Sequence, residues 1–236
     1  MTSLPASALL CLWLEAVRVG RAGPDELAAV VRGDDPRHLV VGSAVAGGTD
    51  TAVDLQALPR LLGQPARLAL PVAGDPLGLG GPSALNSAAL EAGEAVLVGQ
   101  VALVPELDAR TVVWRTYDAD PAPYVDERET SIELRVALSE VTGRLVDLDV
   151  VAWQPEIPDL LMNLRSRPAL VLPPGLDARR VDTIERAVLC REIAALALGD
   201  DGGSVSTHEM GQRRAALADL ERAARHALVG ACSARG

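Results

Sequence analysis

Lysine is absent from the sequence, and all 22 basic residues are arginine. This absence excludes Schiff-base chemistry, the lysine of phosphate-binding loops and the lysine of protein kinases. Phenylalanine is also absent, and tryptophan and tyrosine contribute only three and two residues. So few aromatic side chains disfavour the recognition of single-stranded nucleic acid by base stacking.

Positive charge is scarce as well, since the formal net charge is −10. Such a chain repels phosphate backbones, so we expect no nucleic-acid partner, and DNA binding by the C-terminal helices is disfavoured. The arginine-only chemistry and the abundance of alanine, glycine, proline, valine and aspartate resemble proteins of high-GC bacteria, actinobacteria in particular. Hydrophobic residues make up 49% of the chain, which is ample for a core.

The three cysteines form no C-x-x-C pair, which predicts reduced, buried thiols in a cytoplasmic protein. Residues 1–20 contain an apolar run that lacks a basic leader and is interrupted by Glu15. The run is too short to span a bilayer, so we expect a core or interface helix and no membrane partner. Its apolar residues cover nearly the whole helix circumference, which indicates deep burial or contact with a partner chain.

No metal site is predicted. His208 and His226 lie 18 residues apart on one predicted helix, hence about 27 Å apart at 1.5 Å per residue. His38 at a strand edge is typical of a structural histidine. Neither a G-x-S-x-G elbow nor a calcium-loop register is satisfied, and no motif assigns a cofactor or a reaction.

Arginine pairs at 179–180 and 213–214 are candidates for a basic face. On the last predicted helix, however, Asp219 and Glu221 precede Arg222 and Arg225 by three or four residues. This spacing predicts ion pairs within the helix. We therefore interpret these arginines as part of a solvated helix face.

The most informative stretch is residues 66–99, which predicts a strand at 68–72, a Gly/Pro loop, a helix at 83–92 and a strand at 95–98. A strand that leads through glycines into a helix N-terminus can bind anions. The spacing matches neither G-x-G-x-x-G nor a Walker loop, and Asp75 adds a negative charge, so a structural crossover is favoured. The alternative is a small-molecule or anion site whose candidate residues are Gly74, Asp75, Gly78, Gly80, Gly81, Ser83 and Asn86.

Elsewhere in the N-terminal half, apolar patterns and capping residues predict helices at 6–19, 24–32 and 54–62. Strands are predicted at 38–41, 100–104 and 111–116. Residues 118–129 form an acidic, proline-bearing connector. Composition changes within this connector, and we place a subdomain boundary near residue 125.

The C-terminal half is dominated by helical patterns. Between Glu127 and Ala152 a strand-like alternation competes with a longer seam of apolar residues at spacings of 4, 3, 4, 3 and 4, and the longer seam favours one helix. Further helices are predicted at 158–164 and 177–198, with an extended piece at 169–172. A Gly/Asp-rich hinge at 199–204 precedes a last helix capped by Ser206 or Thr207.

These patterns predict an α/β or α+β fold, with a small mixed sheet and flanking helices over residues 1–125. Residues 126–236 are expected to form a helical layer or bundle that packs on the first half as one compact unit. The leading functional hypothesis is a non-catalytic interaction or assembly protein that self-associates, as a homodimer, with a further protein partner as a possibility. The alternative is an enzyme or sensor that binds a small, anionic or nucleotide-like ligand at residues 74–86.

Overall fold

Seven α-helices and five strands occur in the parts of the chain that the structure, a computed structural model, describes: residues 4–33, 37–42, 52–108, 111–121, 123–147, 169–199 and 207–233. The helices are α1 Ala6–Arg18, α2 Pro24–Arg32, α3 Leu58–Leu62, α4 Ser83–Ala92, α5 Glu127–Asp147, α6 Ala178–Gly199 and α7 Thr207–Cys232. The strands are β1 Arg37–Val41, β2 Ala66–Ala69, β3 Ala95–Val98, β4 Val101–Asp108 and β5 Thr111–Asp118.

The five strands form one sheet in the order β1-β5-β4-β3-β2. β1 pairs with β5 in parallel, and every other neighbouring pair is antiparallel. Two residues, Gly99 and Gln100, join β3 to β4, and Gly99 supplies the positive φ of +62° that so tight a turn favours. The predicted mixed sheet is confirmed.

The two faces of the sheet carry separate apolar clusters because successive side chains in a strand point to opposite sides. Leu68, Val96 and Trp114 belong to the larger cluster, which includes α1 and the end of α7. Ala69, Leu97 and Val104 belong to the smaller cluster, which includes α4. The sheet therefore lies between α4 on one side and α1 with α7 on the other.

The C-terminal half is a helical layer in which α7 packs against both α5 and α6. The last turns of α7 also contact β2 and α1, and Ala224, Leu228 and Ala231 are fully buried there. A single apolar cluster thus contains residues of both halves. The predicted α+β architecture, with a sheet half and a helical half, is confirmed.

The first helix is buried within its own chain. Leu10, Leu12, Trp13 and Leu14 are at most 6% exposed. Of the two alternatives for this all-apolar helix, burial in the core of the chain is therefore correct. Among the described residues, no helix is both long enough and apolar enough to cross a membrane.

Several predicted boundaries need correction. β2 begins at Ala66 and ends at Ala69, since the Leu70 N–H bonds to the Leu77 carbonyl and leaves the ladder. The predicted helix at 54–62 is a 3-10 turn at Leu55–Ala57 followed by α3. β4 and β5 extend to Asp108 and Asp118, further than predicted.

The competition between helix and strand after Glu127 is decided for the helix up to Asp147. Residues 169–172, predicted as an extended piece, join no strand of the sheet, and the Leu172 N–H donates a 3.0 Å hydrogen bond to the Leu170 carbonyl oxygen. The predicted helix at 158–164, the end of the long helix at 148–152 and most of the hinge at 199–204 lie outside the described residues.

Candidate functional site

The glycine loop between β2 and α4 contains a tight turn at its start. Val72 and Asp75 exchange backbone hydrogen bonds of 3.0 and 2.9 Å, and Gly74 takes a φ of +84° inside this turn. The turn places the Asp75 side chain against α7, and this is the contact from which the site is built.

Three loop glycines are explained by close contact with the protein itself. A Cβ on Gly78 would lie 2.8 Å from the Leu68 carbonyl oxygen, and one on Gly80 would lie 2.7 Å from the Pro121 carbonyl oxygen. A Cβ on Gly81 would lie 2.7 Å from Asp120 Oδ2. Any larger side chain at these positions would collide with nearby residues of the same protein.

The start of α4 has no side-chain cap. Its N-cap residue is Pro82, and neither Ser83 nor Asn86 makes a capping hydrogen bond there. Asn86 Oδ1 is buried and has no hydrogen-bond partner. The candidate loop residues thus face different neighbours: Asp75 faces α7, Gly78 faces β2, and Gly80 and Gly81 face residues 120–121. Ligand binding by the seven candidate residues remains a prediction.

Asp75 joins two consecutive residues of α7 in a cluster that sequence spacing did not reveal. Its Oδ2 accepts a hydrogen bond of 2.7 Å from Arg225 Nη2 and lies 2.7 Å from His226 Nε2. Because a carboxylate only accepts, the Nε2 of His226 carries a proton. Burial raises the pKa of Asp75, but the hydrogen bonds from His226 and Arg225 outweigh it and hold this pKa below its ordinary value.

Arg225 is the buried centre of this cluster, with a side chain that is only 3% exposed. Its Nη1 donates a 2.8 Å hydrogen bond to the Leu70 carbonyl oxygen, and its Nε lies 3.6 Å from Glu221 Oε2. Glu221 Oε1 in turn lies 3.6 Å from Arg191 Nε on α6. Charges of alternating sign therefore connect the glycine loop to α6 through α7.

A cavity of about 600 Å³ opens at the α6 end of this chain of charges. Its walls come from the start of α1, from Leu70, from the end of α4 with the turn that follows it, and from α6 and α7. Four charged residues line it: Glu94, Arg191, Glu192 and Glu221. The apolar part of the wall includes Leu4, Leu70, Val188 and Ala195.

Glu94 also caps the N-terminus of the first helix. The N-cap of α1 is Pro5, which has no capping side chain, and Glu94 Oε2 accepts a 2.8 Å hydrogen bond from the Ser7 N–H instead. Burial raises the pKa of Glu94, and the hydrogen bonding of Ser7 and the charge of Arg191 only partly counter that rise. A carboxyl group with a raised pKa in a cavity is typical of a functional site.

Glu192 is the most buried carboxylate in the cavity wall, being 4% exposed. Three of the four charged residues in the wall are carboxylates, and Arg191 is the fourth. Among the described residues, no group of three His, Cys, Asp or Glu side chains has a geometry that could hold a metal ion.

Other reactive residues lie apart from the cavity. His38 is buried, and its Nδ1 accepts a 3.2 Å hydrogen bond from Trp114 Nε1, as expected of a structural histidine. The three cysteines are free and buried, as predicted. Burial raises the pKa of Cys190 to about 11 and that of Cys232 to about 12, so both are neutral thiols near pH 7.

Sequence reasoning missed the cavity residues, although α6 carries a signal for them. Its apolar seam contains Val188 and Ala195, and the position between them on that helical face is Glu192. A charge on an inward-facing seam requires a partner or a ligand. The ion pair of Arg222 with Asp219 at 3.0 Å follows the predicted spacing within α7. The predicted solvated face is wrong for Arg225, which is 3% exposed and contacts the distant Asp75 as well as its local partner Glu221.

The fold and the cavity define an α+β protein in which a sheet half and a helical half both contribute walls to one polar cavity. The chain belongs to the Rv1486c-like protein family: the model of the family's N-terminal domain matches residues 7–127, and that of its C-terminal domain matches residues 128–229. No curated protein and no solved structure matches the chain.

Proposed function

We propose that the chain binds a small organic cation, an amine or a guanidine, in the cavity that both halves line. The observation that carries the proposal is the carboxylate-rich lining of the cavity, to which Glu94, Glu192 and Glu221 all contribute. Arg191 is the only basic residue of the described lining. Carboxylate oxygens accept charge-assisted hydrogen bonds from ammonium and guanidinium groups, so this lining suits a cationic ligand.

The energetic argument starts from the cost of burying charge. Each buried carboxylate loses hydration worth several kcal/mol, which only close pairing restores. Glu221 is shared at 3.6 Å between Arg191 and Arg225, and Arg225 also serves Asp75. Both contacts of Glu221 are longer than a direct hydrogen bond, so its carboxylate keeps acceptor capacity for an ammonium or guanidinium group.

The remaining wall suits the hydrocarbon part of such a ligand. Leu4, Leu70 and Val188 provide apolar contact, and the volume of about 600 Å³ falls within the range that small-molecule sites usually occupy. Since walls come from both sides of residue 125, the predicted subdomains would meet at this site. Ligand binding would then favour the joined arrangement of the two subdomains.

Thermal unfolding of the purified protein with agmatine or putrescine tests the proposal, with succinate and butanediol as anionic and neutral probes of similar length. We expect the cations alone to raise the melting temperature, because a ligand at a hundredfold its Kd stabilises the folded state by about 2.7 kcal/mol. Equal shifts with all four probes, or no shift with either cation, would overturn the proposal.

A pair of isosteric variants locates the effect. Glu192→Gln removes one buried charge from the cavity, and Glu133→Gln removes one exposed charge from α5. The first variant should lose the cation-dependent shift, whereas the second should keep it. Circular dichroism of each free variant checks that the fold is retained, and Glu94→Gln gives a second cavity variant with the same expected loss.

Protein–protein contact, the leading expectation from the sequence, is the second candidate function and includes a homodimer of a cytoplasmic protein. An apolar stripe on α6 favours it: Leu189 and Leu196 are 37% and 48% exposed, and Ile193 lies between them on the same face. Sedimentation at tens of micromolar tests self-association. A dimer that Leu189→Glu disrupts and Leu107→Glu on β4 leaves intact would support it, and a monomer would contradict it.

A further inference from the structure

A second groove, independent of the cavity, lies along the first turns of α5 and α6 and encloses about 840 Å³. The two helices begin at the same end of the layer, since the hydroxyl oxygens of Ser131 and Thr183, near the start of each helix, lie 3.3 Å apart. The groove is lined from both helices and from Tyr124 in the segment before α5.

Arginine dominates the chemistry of this groove. Arg128 and Arg135 on α5 are seven residues apart, as are Arg179 and Arg186 on α6, so each pair lies on one helical face. Arg186 is paired with Asp182 at 2.9 Å. Within the described part of the chain, Arg128, Arg135 and Arg179 have no carboxylate within 4.0 Å.

The acidic residues of the groove contact partners other than these three arginines. Asp126 Oδ1 accepts the Glu129 N–H at 2.8 Å and caps α5. Glu127 lies 4.0 Å from Arg180, and Asp182 serves Arg186. Because aspartates already cap both helices, the argument depends on the three uncompensated guanidinium groups and not on the helix ends.

We propose that this groove binds a phosphorylated small molecule. Guanidinium groups match phosphate oxygens with paired hydrogen bonds, and three of them on facing helices can hold one phosphate or diphosphate. Tyr124 and Ile132 line the same groove and are 61% and 44% exposed, which offers a ring or a hydrocarbon part of the ligand an apolar contact. The net charge of −10 opposes long polyanions, so a small ligand fits better than nucleic acid.

Calorimetric titration of the whole protein with ADP and with inorganic pyrophosphate tests the groove. We expect both to bind at low salt, ADP more tightly because it also contacts Tyr124. The triple variant Arg128→Gln, Arg135→Gln, Arg179→Gln should lose affinity by about 100-fold or more, since each charged contact to phosphate contributes strongly. Tyr124→Ala should weaken ADP and leave pyrophosphate unchanged.

A matched triple variant, Arg32→Gln, Arg37→Gln, Arg60→Gln, removes the same charge from exposed positions in the N-terminal half. It should bind both probes as the native protein does. Equal losses in the two triple variants, or no binding of either probe at millimolar concentration, would overturn the proposal. Pelleting with phosphatidylglycerol vesicles that depends on the groove arginines, without binding of either soluble probe, would also overturn it and assign the phosphate to a lipid headgroup.

Discussion

Asp75 shows how one carboxylate can tie a surface loop to a buried arginine. It lies in a turn whose geometry depends on Gly74, and its partners are 150 and 151 residues further along the chain. From the sequence, Asp75 is interpreted as a negative charge that disfavours phosphate binding, and its structural role is not predicted. No local spacing could reveal the pair, because a contact over that distance exists only once the fold is formed.

Asp75→Asn should lower the free energy of unfolding by about 2 kcal/mol, because Arg225 would lose the closer of its two charged partners while its side chain remains buried. Chemical denaturation measures the change. Asp219→Asn is the matched control: its partner Arg222 is 61% exposed, so the loss should be about 0.5 kcal/mol or less. Equal effects of the two substitutions would contradict a buried role for Arg225.

The same variant gives a pH signature with a fixed sign. Because the folded pKa of Asp75 is below its ordinary value of 3.8, its contribution is fully present above that pH and is lost as the pH falls through the folded pKa. The stability gap between the native protein and Asp75→Asn should therefore close in acid. Glu94 contributes with the opposite sign, since its pKa is raised, so the two proteins are compared at each pH.

At the scale of elements, helix α7 connects the helical half to the sheet half. Its outer turns pack against α5 and α6, and its last turns reach β2 and α1. Periodicity predicted the helices because their apolar seams repeat every three or four residues. Short strands were predicted less accurately: the apolar run after Ala66 continues past the point where Leu70 leaves the ladder, so composition alone placed β2 two residues late.

Gly230 lies where α7 packs tightly against the start of α5. An added Cβ would lie 2.7 Å from Thr130 Oγ1 and 3.1 Å from Glu127 Cα. We expect Gly230→Ala to destabilise the protein, because overpacking against backbone costs about 1 to 3 kcal/mol and exceeds what alanine gains in a helix.

Gly211 on the same helix is the matched control, with no atom within 4 Å of an added Cβ. Gly211→Ala should stabilise the protein by about 0.5 to 1 kcal/mol through helix propensity alone. Denaturation midpoints of the two variants should thus shift in opposite directions. Stabilisation by both substitutions would mean that α5 and α7 are further apart than the structure places them.

For the whole molecule, the fold class could be predicted from the order of helix and strand patterns along the sequence. The order of strands in the sheet and the position of the cavity could not. β1 pairs with β5 across more than 70 residues, and the cavity combines segments as distant as Leu4 and Glu221. Both depend on how the helical half packs on the sheet half. That packing is encoded in which faces are apolar, and a linear pattern does not show which face meets which.

The shared core predicts that the two halves unfold together. Trp114 of the sheet and Leu228 of α7 belong to the same apolar cluster, so neither half can expose its surface without the other. We expect one cooperative transition, with tryptophan fluorescence and the helical dichroism signal changing together.

Leu228→Ala, at a fully buried position, should lower the free energy of unfolding by about 2 to 5 kcal/mol, and both signals should report the same decrease. Val136→Ala, at a half-exposed position, should leave the free energy of unfolding unchanged by either signal. Two separated transitions would show that the halves are stable alone, and the cavity between them would then open without unfolding either half.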